Sequence, residues 1–140
     1  MTYATQADLI DRFGEQELAQ RTNRVDGLTI DTVVLARALA DADAEIDSHL
    51  ATRFALPLAT TPSVLVRLGA DIARYRLYDD GVPETVRQRY EDAVKMLKLM
   101  AEGKVQLAGS TVLAVATGGG QAVAVKTPER VFSAAVLAGY

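Results

Sequence analysis

The chain has 140 residues, a formal net charge of −3, 49% apolar and 24% charged residues, and no cysteine. That length suits one compact domain with an appendage, and the composition is that of an ordinary globular protein with enough apolar side chains for a core. The missing cysteines exclude disulfides, zinc–thiolate sites and a cysteine nucleophile, while the mild acidity argues against a broad surface built to neutralise DNA phosphates.

The opening MTYATQADLIDRF has neither a basic nor an apolar leader segment, so no signal peptide is expected, and no uncharged apolar run suits a membrane span. Thr5 is placed to cap the first helix, with Asp8 three residues on to meet free backbone N–H groups. Leu9, Ile10 and Phe13 form its apolar face and Gly14 ends it. A short second helix over residues 15–21 carries Leu18 and Ala19, and Asp26-Gly27 signals a turn. Asp31 then caps the longest early helix, reaching about Arg53, with a stripe of Leu35, Ala38, Leu39, Ala42, Ile46 and Leu50. Asp41, Asp43, Glu45 and Asp47 flank that stripe and read as a solvated acidic face.

Residues 54–60 are an extended connector. Thr61-Pro62 starts the next helix, with threonine as cap and proline in the first turn. It reaches about Tyr78, with Val64, Leu65, Leu68, Ile72 and Tyr75 inward. Asp79-Asp80-Gly81-Val82-Pro83 breaks it, and Pro83 begins a helix with Val86, Tyr90, Ala93, Leu97 and Met100 inward, stopped by Gly103. The short link makes these two helices an antiparallel hairpin. Leu77, Met96 and Leu99 lie off the stripes, as happens in a helix that is central or sits at a subunit interface.

At Gly103 the character changes. Residues 104–140 are rich in Val, Ala, Gly and Thr and almost uncharged, too apolar for a solvated tail. They are also too few for an independent core. Residues 110–116 and 121–126, separated by Thr117-Gly118-Gly119-Gly120, predict a β-hairpin that must lean on something else. Val131, Phe132, Val136, Leu137 and Tyr140 then offer apolar anchors for docking. The expected fold is therefore mainly α, a small bundle of four to five helices over residues 1–103, with an extended, partly β C-terminal tail over residues 104–140.

Candidate chemistry is sparse. The glycine triplet lacks the Gly-Lys-Ser/Thr of a phosphate loop. The residues around Asp26-Gly27 would put Thr22, Arg24 and Val33 at calcium-ligand positions, which fails. His49 is the single histidine, and with Glu45 and Asp41 on one helix it cannot surround a metal. No catalytic residue, metal site or cofactor is expected. Asp71 falls on an otherwise apolar face, so its carboxylate needs a partner. Arg67, Arg74 and Tyr75 are within helical reach, either as an internal ion pair or as part of a subunit contact. Asp71, Arg74, Leu77, Met96, Leu99, Val131, Phe132, Leu137 and Tyr140 are the candidate interface residues. Arg87, Arg89, Lys95 and Lys98 decorate the last helix, interleaved with Glu84, Glu91 and Asp92. A helical DNA-binding regulator using that helix is the alternative class.

The order of four segments, YATQADLIDRFGEQELAQ, ALADADAEIDSHLATRFALPL, PSVLVRLGADIARYRLYDD and RYEDAVKMLKLMAEGKVQL, resembles the small head–tail connector proteins of Mu-like bacteriophages and prophages. The resemblance spans about residues 3–107, with a fainter echo in RVFSAAVLAGY. It implies a virion protein of the neck, made in the host cytoplasm. Such connectors form a homo-oligomeric ring, commonly of twelve subunits. The ring sits below the portal protein, extends the channel through which genomic DNA passes, and offers a platform to a tail-side neck or tail-terminator protein. No membrane, cofactor or catalytic residue travels with that family. If the acidic run lines such a channel, replacing Asp41, Asp43, Glu45 and Asp47 by Asn or Gln should impair DNA passage and spare ring formation.

Overall fold

A computed structural model describes residues 1–113. Five helices follow one another: α1 (Gln6–Phe13), α2 (Glu15–Thr22), α3 (Thr32–Leu50), α4 (Ser63–Leu77) and α5 (Glu84–Ala101). The described chain is mainly α, as its periodicity predicts. α4 packs against both α3 and α5, α3 also meets α5, and α1 and α2 lie against α4 and α3 respectively.

Local capping explains most boundaries. Thr5 and Asp8 form a reciprocal capping box at α1, which holds the Asp8 carboxyl below its usual range. The Asp31 carboxylate accepts from Val33 N–H and Val34 N–H at the start of α3. The buried Thr22 hydroxyl accepts from Asp31 N–H while donating to the Leu18 carbonyl, tying the end of α2 to that start. Pro62 and Pro83 sit one position earlier than expected, as N-cap residues whose carbonyls accept from the Leu65 and Val66 N–H groups of α4 and the Val86 and Arg87 N–H groups of α5. α3 ends at Leu50, three residues short of the expected Arg53.

The stripes on α3, α4 and α5 face one another. Leu35, Ile46, Leu50, Leu65, Ile72, Leu97 and Met100 are essentially inaccessible to solvent. Leu77 is buried with them, at 4% exposure, and is no part of an outer surface. Its position behind the main α4 stripe follows from α4 being central, flanked by other helices on several sides.

Two glycines shape the packing. At Gly69 on α4 a Cβ would stand 3.4 Å from the Cβ atoms of both Tyr3 and Ala4, so the N-terminal arm lies directly on the helix there. Gly103 adopts φ +79 at the end of α5, and the Arg53 guanidinium occupies the space a side chain would need. The chain turns back at that point, with Lys104 N–H and Val105 N–H donating to the Leu99 carbonyl, and Leu107 is buried in the same core.

The acidic run on α3 is not a solvated face. Tyr3 donates its backbone N–H to Asp43 at 2.9 Å and its hydroxyl to Asp47 at 2.5 Å. Glu45 accepts from Arg76 at 2.7 Å and from the Tyr90 hydroxyl at 2.8 Å. Three of the four carboxylates therefore anchor other elements to α3, and Asp41 alone among them is exposed. Neutralising all four is expected to loosen the fold itself, which removes that set as a selective probe of DNA passage.

The expected hairpin begins differently from its sequence. Ala55 N–H donates to the Thr111 carbonyl and Leu113 N–H to the Arg53 carbonyl, an antiparallel bridge centred on Phe54 and Val112. The first residues of the β-prone run thus pair with the segment leaving α3. The rest of the hairpin, and Val131, Phe132, Leu137 and Tyr140, lie outside the described residues.

Candidate subunit and partner interface

α4 carries Asp71 toward a cleft between α1 and α5. The cleft, about 470 Å³ in volume, is lined by Arg12, Arg67, Asp71, Arg89, Asp92 and Met96 among others. The Asp71 side chain is 12% exposed and its nearest cation is Arg89 of α5, at 3.8 Å. Burial pushes the Asp71 carboxyl up, and the Arg89, Arg67, Arg12 and Arg74 guanidiniums offset that only in part. Asp71 and Met96, two of the residues singled out in the sequence, therefore line one cleft with three arginines. Leu99 is half-buried beside the turn after α5, and Leu77 belongs to the interior.

Arg74 does not join them as a partner of Asp71. Its Nε and a terminal nitrogen donate to the two carboxylate oxygens of Glu17 on α2, at 2.8 and 3.1 Å, and its guanidinium lies 4.4 Å over the Phe13 ring. The Tyr78 hydroxyl adds a third bond to Glu17 at 2.9 Å. A fork-on-carboxylate pair is stronger than a single-point contact, which explains why Arg74 turns to α2 rather than to Asp71 on its own helix. The same cluster welds α1 and α2 to α4.

A second polar knot joins α3, α4 and α5. Tyr75 and Tyr90 stack with ring centroids 4.0 Å apart and planes 7° apart, and Glu45 ties Tyr90 to Arg76. Burial, and then the Glu45 carboxylate, push the Tyr90 hydroxyl up. Glu17 does not stand out in the sequence, and Glu45 does so only as one of a solvated acidic run, because their partners lie tens of residues away.

The outer face of α5 is only partly free. Arg87 pairs with Glu84 at 2.5 Å, and Arg89 faces Asp71. Among the described residues no cluster of three or more His, Asp or Glu side chains could hold a metal ion, and no helix is long and apolar enough to cross a membrane.

Comparison with known proteins places this bundle in a phage lineage. The family model described as Bacteriophage Mu, Gp36 matches residues 3–125, and the chain belongs to that family. Gene product J of Escherichia phage Mu is 36% identical over 135 residues, covering 95% of each chain. The Mu-like prophage FluMu protein gp36 of Haemophilus influenzae is 37% identical over 105 residues, covering 75% of this chain and 74% of the relative. The match continues well past Leu107, into the glycine-rich stretch that the sequence resemblance did not reach.

Proposed function

We propose that this protein is a non-catalytic structural component of a Mu-like phage particle, a head–tail connector that forms a ring below the portal and receives the tail side. The observation that carries the reading is the ordered run of four helical segments resembling connector proteins, within a chain that belongs to the Mu Gp36 family along most of its length. A ring requires a heterologous contact, in which two different patches of the subunit meet. The helical body offers suitable material, because α4 has one arginine-lined cleft toward α1 and α5 and another on its opposite side, toward α2 and α3. In this reading Asp71 and Met96 lie at or near the contact between neighbours. The apolar anchors Val131, Phe132, Leu137 and Tyr140 are the candidates for contact with the portal or the tail-side protein, and DNA passes without sequence-specific binding.

The alternative, a DNA-binding regulator reading through α5, is disfavoured by the pairing of Arg87 with Glu84 and of Arg89 with Asp71, which leaves only Lys95 and Lys98 of its four named cations without a carboxylate partner among the described residues. Depleting the protein during phage growth tests the proposal. Filled heads and free tails are expected to accumulate separately and to join when the protein is restored. Normal yields of intact, infectious particles without it would overturn the connector role.

A further inference from the structure

The loop from α2 into α3 forms a tip on which Val25, Leu28 and Val33 are 98%, 80% and 66% exposed. Singly exposed apolar residues are ordinary, but three so close together form a patch. The loop is held in shape. The Asn23 side chain accepts from Val25 N–H, the Asp26 side chain accepts from Leu28 N–H, and Gly27 N–H donates to the Asn23 carbonyl. This knob is acidic. The groove beside Leu28, about 540 Å³, is lined by Glu15, Gln16, Gln20 and Asp26 and by no basic side chain. Among the described residues neither Glu15 nor Asp26 has a cation at ion-pair distance, while Arg24 on the same loop is matched by Asp79. Asp31 adds a further carboxylate, turned onto the first N–H groups of α3.

The cleft that α4 forms with α1 and α5 has the opposite character. Leu68 and Ala93 close its floor, and the half-buried Phe13 and Met96 give it apolar walls. Around them Arg12, Arg67 and Arg89 outnumber Asp71 and Asp92, and Arg89 alone of the three has a carboxylate at ion-pair distance among the described residues. Asp8 stands one turn before Arg12 but beyond that distance. This cleft faces away from the tip. Leu68 lines it, whereas Leu77 lines the cleft toward α2 and α3, and nine positions along α4 are about two and a half turns, which reverses direction. The tip borders that second cleft, because Val25 follows Arg24 and Val33 stands one turn before Arg37, both of which line it. A tip seated in a neighbour's second cleft would bring like faces together and close as a two-fold pair. A tip seated in the first cleft leaves one tip and one cleft open, so copies add head to tail.

We propose that the α2–α3 tip of one copy of this chain seats in the Asp71–Met96 cleft of the next, with Val25 and Leu28 against Phe13 and Met96 and with Glu15 and Asp26 facing Arg12 and Arg67. The pairing deepens the connector reading, on which it rests for its place in a closed ring. Apolar anchors in a pocket supply the affinity of such a contact, and opposite charges around them fix its register and disfavour the reverse orientation. Met96 suits the wall of the pocket, because an unbranched thioether adapts its shape to what enters. In the second cleft Arg24 and Arg76 are already matched by Asp79 and Glu45, which leaves less to attract an acidic knob.

The chain has no cysteine, so introduced thiols report the contact without background, and a disulfide forms only where the two backbones come within about 7 Å. Full-length Leu28→Cys and Met96→Cys variants, one of them carrying a size tag, are mixed and mildly oxidised. The chain with both substitutions is oxidised as purified protein and in assembled particles. The mixed dimer is expected at least about five-fold above either like-with-like dimer, and the double variant should give a ladder beyond the dimer. Arg67→Glu should cut the yield about five-fold at an unchanged melting curve, and Arg67→Lys should keep it. Absence of the mixed dimer in solution together with absence of the ladder in particles would overturn the pairing. So would a like-with-like Leu28→Cys dimer as the main product, or a yield indifferent to Arg67→Glu. A ring at the neck without a ladder would sink the pairing alone. A ladder from the purified chain, with no protein at the neck, would sink the connector reading and leave the pairing standing.

Discussion

Arg74 of α4 closes a two-pronged ion pair on Glu17 of α2, 57 positions away in the chain, with both side chains mostly shielded from solvent. Removing one partner leaves the other charge partly buried and unmatched. Arg74→Met or Glu17→Gln is therefore expected to lower stability by about 2 kcal/mol in urea unfolding. Arg74→Lys should recover little of it, because an ammonium cannot span both oxygens. A loss below about 0.5 kcal/mol for Arg74→Met would mean that the pair is no more than a surface contact.

Gly69 and the Tyr3 arm give a graded prediction. A methyl group at 69 meets Tyr3 and Ala4 at ordinary contact distance, so Gly69→Ala should be neutral or slightly stabilising through its higher helix propensity, by up to about 1 kcal/mol. Gly69→Leu has no such room and should displace the arm, increasing amide exchange over residues 1–5. Equal protection of those amides in both variants would contradict the docking of Tyr3 on α4.

Gly103→Ala combines two penalties, a positive φ and collision with the Arg53 guanidinium. A cost of about 1–2 kcal/mol is expected. Arg53→Ala in the same background should return part of it by clearing the space. No recovery in the double variant would assign the whole effect to backbone strain.

Asp71 supplies a pH dependence. Its carboxyl titrates above the usual range in the folded chain, so the native state holds that proton more tightly than the unfolded state does. Its contribution to stability is then fully present below the unfolded carboxylate pKa and is lost as pH rises through the raised native value. Asp71→Asn should be at least as stable as the parent at pH 7, with the difference shrinking toward acid. A clear loss of stability in the variant at pH 7 would show that the Arg89 pairing outweighs the burial.

Much of the architecture is legible in the chain. Most stripe residues of α3, α4 and α5 are buried, with Leu39, Val64, Tyr75 and Tyr90 only partly so and α4 burying Gly69, Ala70, Ala73 and Leu77 besides. Thr5, Asp8 and Asp31 cap where their side chains predict. These signals are local, set by helical period and by hydrogen bonds over two or three residues. What escapes is long-range. The acidic positions on α3 look solvated because nothing nearby reveals that Tyr3, Arg76 and Tyr90 will reach them, and Arg74 looks like a partner for Asp71 because Glu17 is remote in sequence. Leu77 shows the matching ambiguity of pattern: an extra apolar face marks a central helix as readily as an interface, and α4 is central. The exposure of Val25 and Leu28 is equally hidden, since an apolar side chain in a turn does not declare whether it folds inward.

The connector role is tested most directly by averaged images of the neck of intact particles, with the protein labelled at a single exposed site. A closed ring of labelled subunits between portal and tail is expected. A particle whose neck carries no label, with the protein left behind in the lysate or elsewhere in the virion, would contradict it.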